Sequence, residues 1–456
     1  MEEKRDGSNE GDGIFSYYAG RFFKSTLARG ATGTFIAKVA GAGLGFLSQI
    51  VLTRFLGAAE YGVYIYAFTW INLVAIVGTM GFTTGSVRFV SKYKANEAWG
   101  LLRGYLRFSR RFVAKLSVGL AVLVAAVTIT VELLGYTAHL ATFMMAGAML
   151  PLLTQIRVRS AELRGLKWVV WAQVPERILR PFFLILSVPI LVWVLGVPEI
   201  APAAMGVHLA SAGVGLATVI YLGRSVMPGQ VRTSSAAYQD EEWFRVGRDM
   251  MLIAGFNLIL FQADTIMVGL MVGTTEAGLY RVASKIATVI VFVLAAVNNI
   301  LGPIVAETYS KGEEKKLQRL VTLGAWGAFI PSLVISVMLI GLDTWVLNLF
   351  GREFLQSKGI LKILVLGQIA NALAGPAVLL LNMTDHERES AIVLGLSSFL
   401  NVFLNAILIH YFGSVGAAVA TAATMVAWNT ASVWLVWKKI GVVSFIRANK
   451  GTLMNR

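Results

Sequence analysis

GAAEYGVY at residues 57–64 and GTTEAGLY at 273–280 carry one pattern, G-x-x-E-x-G-x-Y, written twice at an offset of 216 residues. In a chain of 456 residues the copies stand nearly half a chain apart. Each joins two long apolar runs. Gly57 and Gly273 suit the left-handed residue that ends one helix. Glu60 and Glu276 fall near the start of the next helix, where a carboxylate complements the dipole. Tyr64 and Tyr280 then sit at interfacial depth, where tyrosine is favoured. The pattern by itself reads as a turn with anchors; its spacing carries the architecture.

Apolar residues make up 56% of the chain and charged residues 14%, against about 25% charge in a soluble domain. Such a balance points to a membrane. Cysteine is absent, which excludes disulfides and thiolate metal sites. The four histidines, His139, His208, His386 and His410, are scattered and lack metal-ligand spacing, so no metal site is expected. The net charge of +15 lies between apolar runs, as a topology signal does, and not in a nucleic-acid-binding patch.

A spanning helix needs roughly 20 apolar residues. Twelve candidates lie at about 31–56, 61–86, 113–135, 138–156, 172–196, 201–223, 248–271, 277–305, 320–341, 360–383, 391–411 and 414–437. The fifth is interrupted by Pro175, Pro181 and Pro189. If twelve helices alternate, 33 of the 40 Lys and Arg residues fall on one side, eight of them in an expected loop at 88–115. The positive-inside bias then makes both termini cytoplasmic.

Six helices separate the two turns, so the halves have the same orientation. Ser91-Lys92 and Ser310-Lys311 repeat as well, offset by 219. The reading is an all-α integral membrane protein. It has about twelve transmembrane helices in two parallel six-helix lobes around a central cavity, a transporter-like plan. Its parts are a cytoplasmic segment with an interfacial helix (1–29), an N-lobe (30–225), a cytoplasmic linker (226–246), a C-lobe (247–440) and a cytoplasmic tail (441–456). Residues 1–13 read as disordered, and Phe15, Tyr18, Phe22 and Thr26 share one face of the interfacial helix.

FLSQIVLTRFLGAAEYGVYIYAF at 46–68, followed by GFTTGSVRFVSKY at 81–93, resembles the polysaccharide transporter family. These are the Wzx-type oligosaccharide and O-antigen flippases of the multidrug/oligosaccharidyl-lipid/polysaccharide exporter superfamily. The phrase R-x-L-G-x-x-E-Y-G-x-Y stands here as Arg54, Leu56, Gly57, Glu60, Tyr61, Gly62 and Tyr64. The resemblance implies a flippase moving an undecaprenyl-diphosphate-linked glycan across the inner membrane. Expected partners are the lipid-linked glycan, membrane lipids, a polysaccharide polymerase and a chain-length regulator. Some members carry fourteen helices, where this chain offers twelve.

A diphosphate calls for cations within the bilayer, where ionisable residues are costly and mark function. Lys38 lies in the small-residue run KVAGAGLGF; it either meets the diphosphate or snorkels to the headgroups. Arg281 and Lys285 share one helical face. Asp264 lies about as far before the Gly273 turn as Lys285 lies after it, so it is expected to neutralise Lys285 in part, and it is the candidate for Na⁺ or proton coupling. Arg54 is also a candidate substrate cation, or else pairs with Glu60 at the surface. Arg177 and Arg180 either receive the diphosphate or anchor their helix. No cofactor is implied.

Two other classes compete. A multidrug antiporter needs a cavity acid for its cations, whereas the first helix bears Lys38 and no acid. A membrane polymerase or ligase needs a large outer catalytic loop. Here the longest, about 342–359, offers only Asp343, Arg352, Glu353 and Lys358. A non-enzymatic transporter fits best.

Overall fold

The computed structural model describes residues 26–135, 139–193, 196 and 200–445. The segment up to residue 25, with most of its expected interfacial helix, and residues 446–456 of the tail lie outside the described residues. Every regular element described is a helix. The first half has α1 (Thr26–Thr79), α2 (Phe82–Ala95), α3 (Trp99–Leu133) and α4 (Leu140–Gly165). A π-helical turn (Pro175–Leu179) then runs into α5 (Arg180–Trp193), and α6 (Ala201–Val226) follows. Short α7 (Gly229–Thr233) leads to α8 (Asp240–Met271), α9 (Thr274–Ala287), α10 (Val291–Ser310), α11 (Glu314–Gly341), α12 (Asp343–Phe350), α13 (Lys358–Leu373), α14 (Ala377–Met383) and α15 (Glu387–Ile440).

Among the described residues the expected spans fall mostly on helix, with breaks at residues 80–81 within the second and 374–376 within the tenth. By length and hydropathy seven described helices can cross a membrane, or eight if the pair bent by 45° at 352–383 is one span. Two of them hold more than one crossing. Helices α1 and α15 run 54 residues each, about 80 Å at 1.5 Å per residue, far more than the roughly 30 Å hydrocarbon core. Both break at a glycine that leaves helical geometry, Gly57 (φ 68°, ψ 178°) and Gly413 (φ 57°, ψ −141°). Few residues with a Cβ reach these angles. Beyond the second break the chain folds back, and a Cβ on Gly416 would lie 1.9 Å from the Leu408 carbonyl oxygen.

The sequence reading needs two corrections on the basic side. Residues 88–115 are not a loop: α2 runs to Ala95 and α3 starts at Trp99. The charges there ride on helix extended past the bilayer, because hydropathy marks where apolar chain stops and not where helix stops. The expected linker at 226–246 is helical at 229–233 and again from Asp240. Fully buried Trp243 packs on Tyr105 and Phe108 and donates its indole N–H to Tyr93 Oη at 2.8 Å. The start of α8 is thereby held by the N-lobe.

The largest apolar core spans both halves around the repeated turns. It joins Leu52, Tyr61 and Tyr64 of α1 to Leu279, Tyr280 and Ile286 of α9 and to Phe350 and Phe354. Two smaller cores are separate. One gathers Phe82, Phe89, Tyr105 and Trp243; the other gathers Leu301, Val305, Leu317, Leu380 and Val436. The lobes are fused where the repeated turns lie, and toward the basic ends Trp243 of α8 joins the first of the smaller cores while the other belongs to the second half alone.

Candidate functional site

The repeated turn is the contact between the lobes. Gly62 and Gly278 hold the same place in the two copies, and a Cβ on Gly278 would fall 2.9 Å from Gly62 Cα. A Cβ on Gly62 would fall 2.2 Å from the Thr274 carbonyl oxygen. Backbone meets backbone here, which only glycine permits. The two glutamates also do equivalent work. Glu60 Oε2 accepts the Ala201 N–H at 2.7 Å, at the start of α6. Glu276 Oε2 accepts the Ser414 hydroxyl at 2.5 Å, just past the break in α15. In each lobe the turn glutamate ties down the start of the last long helical run.

The remaining turn contacts also cross between lobes, which corrects the expected Arg54–Glu60 pair. Arg54 donates to the backbone carbonyls of Asn348 at 2.5 Å and Leu349 at 2.8 Å. Glu353 Oε2 accepts the Ala58 N–H at 2.6 Å. Arg54 is therefore part of the closed seam and stands apart from the other cations. The exposed chain end left by the Gly57 break is satisfied by a residue almost three hundred positions away, so adjacency in sequence gave the wrong partner.

Beneath this seam the two lobes bring cations together. Lys285 lies within electrostatic reach of Arg281, Arg180 and Arg177. The first two come from α9 of the C-lobe, and the others from the proline-rich turn of the N-lobe. The π turn Pro175–Leu179 carries Arg177 and ends at Arg180; such wide turns interrupt regular helical bonding. Gly41 of α1 sits against Arg177, where an added Cβ would come 2.8 Å from Arg177 Cβ. Arg180 stacks over the Phe68 ring at 5.4 Å. Arg281 donates Nη1 to Gln262 Oε1 at 3.1 Å, while its buried Nε has no acceptor. None of Arg177, Arg180, Arg281 or Lys285 belongs to an ion pair among the described residues. Lys38, one turn before Gly41, is exposed and likewise unpaired.

Three further residues belong to this neighbourhood. Arg157 of α4 bonds Glu176 at 3.3 Å and the Asn72 side-chain carbonyl. Tyr64 Oη meets His208 Nδ1 at 2.8 Å, and both residues lie near Arg180. A run of six basic residues at 157–180 reads as topology charge, and only the fold separates those that turn inward.

Asp264 has other partners than Lys285. Its carboxylate accepts from Tyr280 Oη at 2.9 Å, Thr421 Oγ1 at 2.8 Å and Asn405 Nδ2 at 2.6 Å. Asn405 also donates to Asn401 Oδ1 at 3.1 Å. The carboxylate thus binds α8 and α9 to both arms of α15. Depth alone suggested the lysine, but side chains on neighbouring helices at one depth need not face one another. We expect the effects of Lys285→Gln and Asp264→Asn on thermal stability in detergent to add within about 0.5 kcal/mol, as for sites without a shared partner. Recovery of Lys285→Gln by Asp264→Asn would restore the ion pair.

Residues 27–309 match the family described as polysaccharide biosynthesis protein, and residues 251–407 match the family described as MatE. A probable low-salt glycan biosynthesis flippase, Agl15 of Haloferax volcanii, is 25% identical over 431 residues, covering 87% of this chain and 80% of the relative. Among solved structures, an inward-facing multidrug resistance MATE transporter of the MOP superfamily superposes with TM-score 0.69 at 14% identity, covering 86% of this chain and 92% of that one. The lipid II flippase MurJ in an inward closed conformation gives 0.64 at 13% identity, covering 88% and 87%. The helical plan is thus the fold of these solved structures. With more than half of its residues inside the first match, this multi-pass membrane chain belongs to the polysaccharide biosynthesis protein family.

Proposed function

We propose that the chain is a flippase of glycan biosynthesis that moves a lipid-linked oligosaccharide by alternating access. The diphosphate rests on Arg177, Arg180, Arg281 and Lys285 while the acyl chain stays in lipid. The observation that carries this reading is the meeting of four unpaired cations from both lobes beneath a closed seam. Unpaired charge at such depth is tolerated where it serves an ion path. Lys38 extends the same surface toward the basic side. Undecaprenyl diphosphate is the carrier implied by the sequence resemblance, and a polymerase and chain-length regulator would receive the product.

In this reading both termini are cytoplasmic and the membrane is the inner, or plasma, membrane. The inside-negative potential favours outward movement of an anion. Asp264 remains the candidate for a coupling ion, with Tyr280, Thr421 and Asn405 as its companions. Export of a cationic drug is the weaker reading, because the convergent charges are positive and would repel it.

The test uses purified protein in vesicles. A polyprenyl-diphosphate-linked sugar placed in one leaflet should become accessible from the other face in a protein-dependent way, and a lipophilic cation should not be moved. Transport of the cation with no movement of the glycolipid would reverse the assignment.

A further inference from the structure

The basic side carries a second group of arginines that the pathway does not use. Arg159 follows Arg157 on α4 by two residues, so at about 100° per residue it points to nearly the opposite side of the helix. Arg157 turns toward Glu176 and Asn72. Arg159 instead lies within electrostatic reach of Arg110, Glu162 and Arg224. Its Nε is buried and has no acceptor.

The acid in that group is already committed. Glu162 is 3% exposed, and Arg110 grips it with Nε at 3.0 Å and Nη2 at 2.5 Å. Arg110 is fixed in turn by Gln155, whose amide donates to its carbonyl at 2.9 Å. Arg224 stands in the last turn of α6, and the side chain of Arg232 donates to the Arg224 carbonyl. Both arginines are exposed, and none of Arg159, Arg224 or Arg232 joins an ion pair among the described residues. Tyr221, three residues before Arg224, is 71% exposed and offers an aromatic surface beside the cations at interfacial depth.

Arg159 and Arg224, beside a carboxylate already taken by Arg110, repel one another unless an anion sits between them. At the basic end of a spanning helix the nearest anions are lipid phosphates, and basic clefts between such helices bind anionic headgroups. We propose that the basic patch where α4 meets the end of α6, around Arg159, Arg224 and Arg232, binds the phosphate headgroup of a membrane lipid. The lipid's chains would lie along α6 beside Tyr221. The phosphate can come from an anionic phospholipid or from a lipid-linked diphosphate waiting outside the pathway. The site is independent of the transport assignment, because Arg159 faces away from the inter-lobe cluster.

Full-length protein in detergent would be titrated with phosphatidylglycerol, with phosphatidylcholine and with polyprenyl diphosphate, and bound lipid counted by native mass spectrometry. The wild type should bind one phosphatidylglycerol saturably, and any polyprenyl diphosphate at this site should appear as an equivalent beyond the one held by the inter-lobe cluster, retained in Arg281→Gln. Binding by the double variant Arg159→Gln, Arg224→Gln should be roughly 30-fold weaker, the loss of two membrane-facing cations. Arg224→Gln alone, at an exposed position, should show an intermediate loss. Arg319→Gln, a basic residue of the other lobe, should bind as wild type. Preference for phosphatidylglycerol identifies a resident phospholipid; preference for polyprenyl diphosphate identifies a waiting substrate. Equal binding by wild type and the folded variants, or binding of phosphatidylcholine as tight as the other two, would overturn the site.

Discussion

Arg281→Gln and Arg180→Gln should each lower glycan export about 10- to 100-fold while the protein reaches the membrane at its normal level. A hydrogen bond to a charged group contributes about 1.5–3 kcal/mol, and each 1.4 kcal/mol is tenfold. Arg281 is held by Gln262 through Nη1 with its Nε unspent, so its guanidinium is positioned before any ligand arrives. Arg180 is steadied over Phe68, which leaves its N–H groups free to meet phosphate oxygens. Arg281→Lys should recover part of the loss, because a point charge remains without the planar fork. Arg54→Gln should behave differently, since it removes seam contacts to Asn348 and Leu349 and leaves the cluster intact. Export and membrane level would be measured in a strain lacking the native gene. Normal export by both Arg281→Gln and Arg180→Gln would take the cluster out of the substrate path.

Gly62→Val should hold the seam open and stop export. Even the first carbon of the new side chain would overlap the Thr274 carbonyl, at 2.2 Å, and backbone on both sides leaves no room to yield. Overpacking of this kind costs about 1–3 kcal/mol, which shifts a two-state equilibrium by roughly 5- to 150-fold. The cost falls only on the seam-closed form, since separated lobes give the side chain space. The protein should therefore fold and insert, and its population should move to the seam-open form. The absence of native cysteine makes this readable. Ala58 is 5% exposed in the closed seam, so Ala58→Cys should react slowly with an impermeant thiol reagent. The reaction should be faster by the same factor when Gly62→Val is added. Unchanged reactivity together with normal export would mean that the seam does not move.

The sequence made the double turn legible because a turn between spans has few chemical solutions. A helix must end, the chain must reverse, and the next helix must start with its N–H groups satisfied. Glycine marks the helix end at both turns, and both copies fall at inter-lobe turns in the fold, but the glutamates and tyrosines serve other elements: Glu60 holds the start of α6 and Tyr280 bonds Asp264. The pairing of those residues was not legible. Arg54 and Glu60 are six apart and opposite in charge, yet one binds carbonyls of the other lobe and the other binds the start of α6. Lys285 and Asp264 match in depth, yet the aspartate is enclosed by hydroxyl and amide donors. Charge sorted by segment predicts which end of a helix a residue is near. It does not predict which side of the helix the residue faces, and so Arg157 and Arg159, two residues apart, were indistinguishable until the packing separated them.

The central claim is that glycan transfer requires the seam of repeated turns to open above the cationic cluster. Ala58→Cys with Glu353→Cys places two thiols across that seam, where the wild type has a 2.6 Å hydrogen bond between these residues. The measurement is movement of polyprenyl-diphosphate-linked sugar across vesicles holding this variant, before and after a short, cleavable thiol cross-linker. Transfer should stop on cross-linking and return when the linker is cleaved, while each single cysteine variant is unaffected by the reagent. Transfer at the same rate with the seam cross-linked would contradict alternating access through this seam.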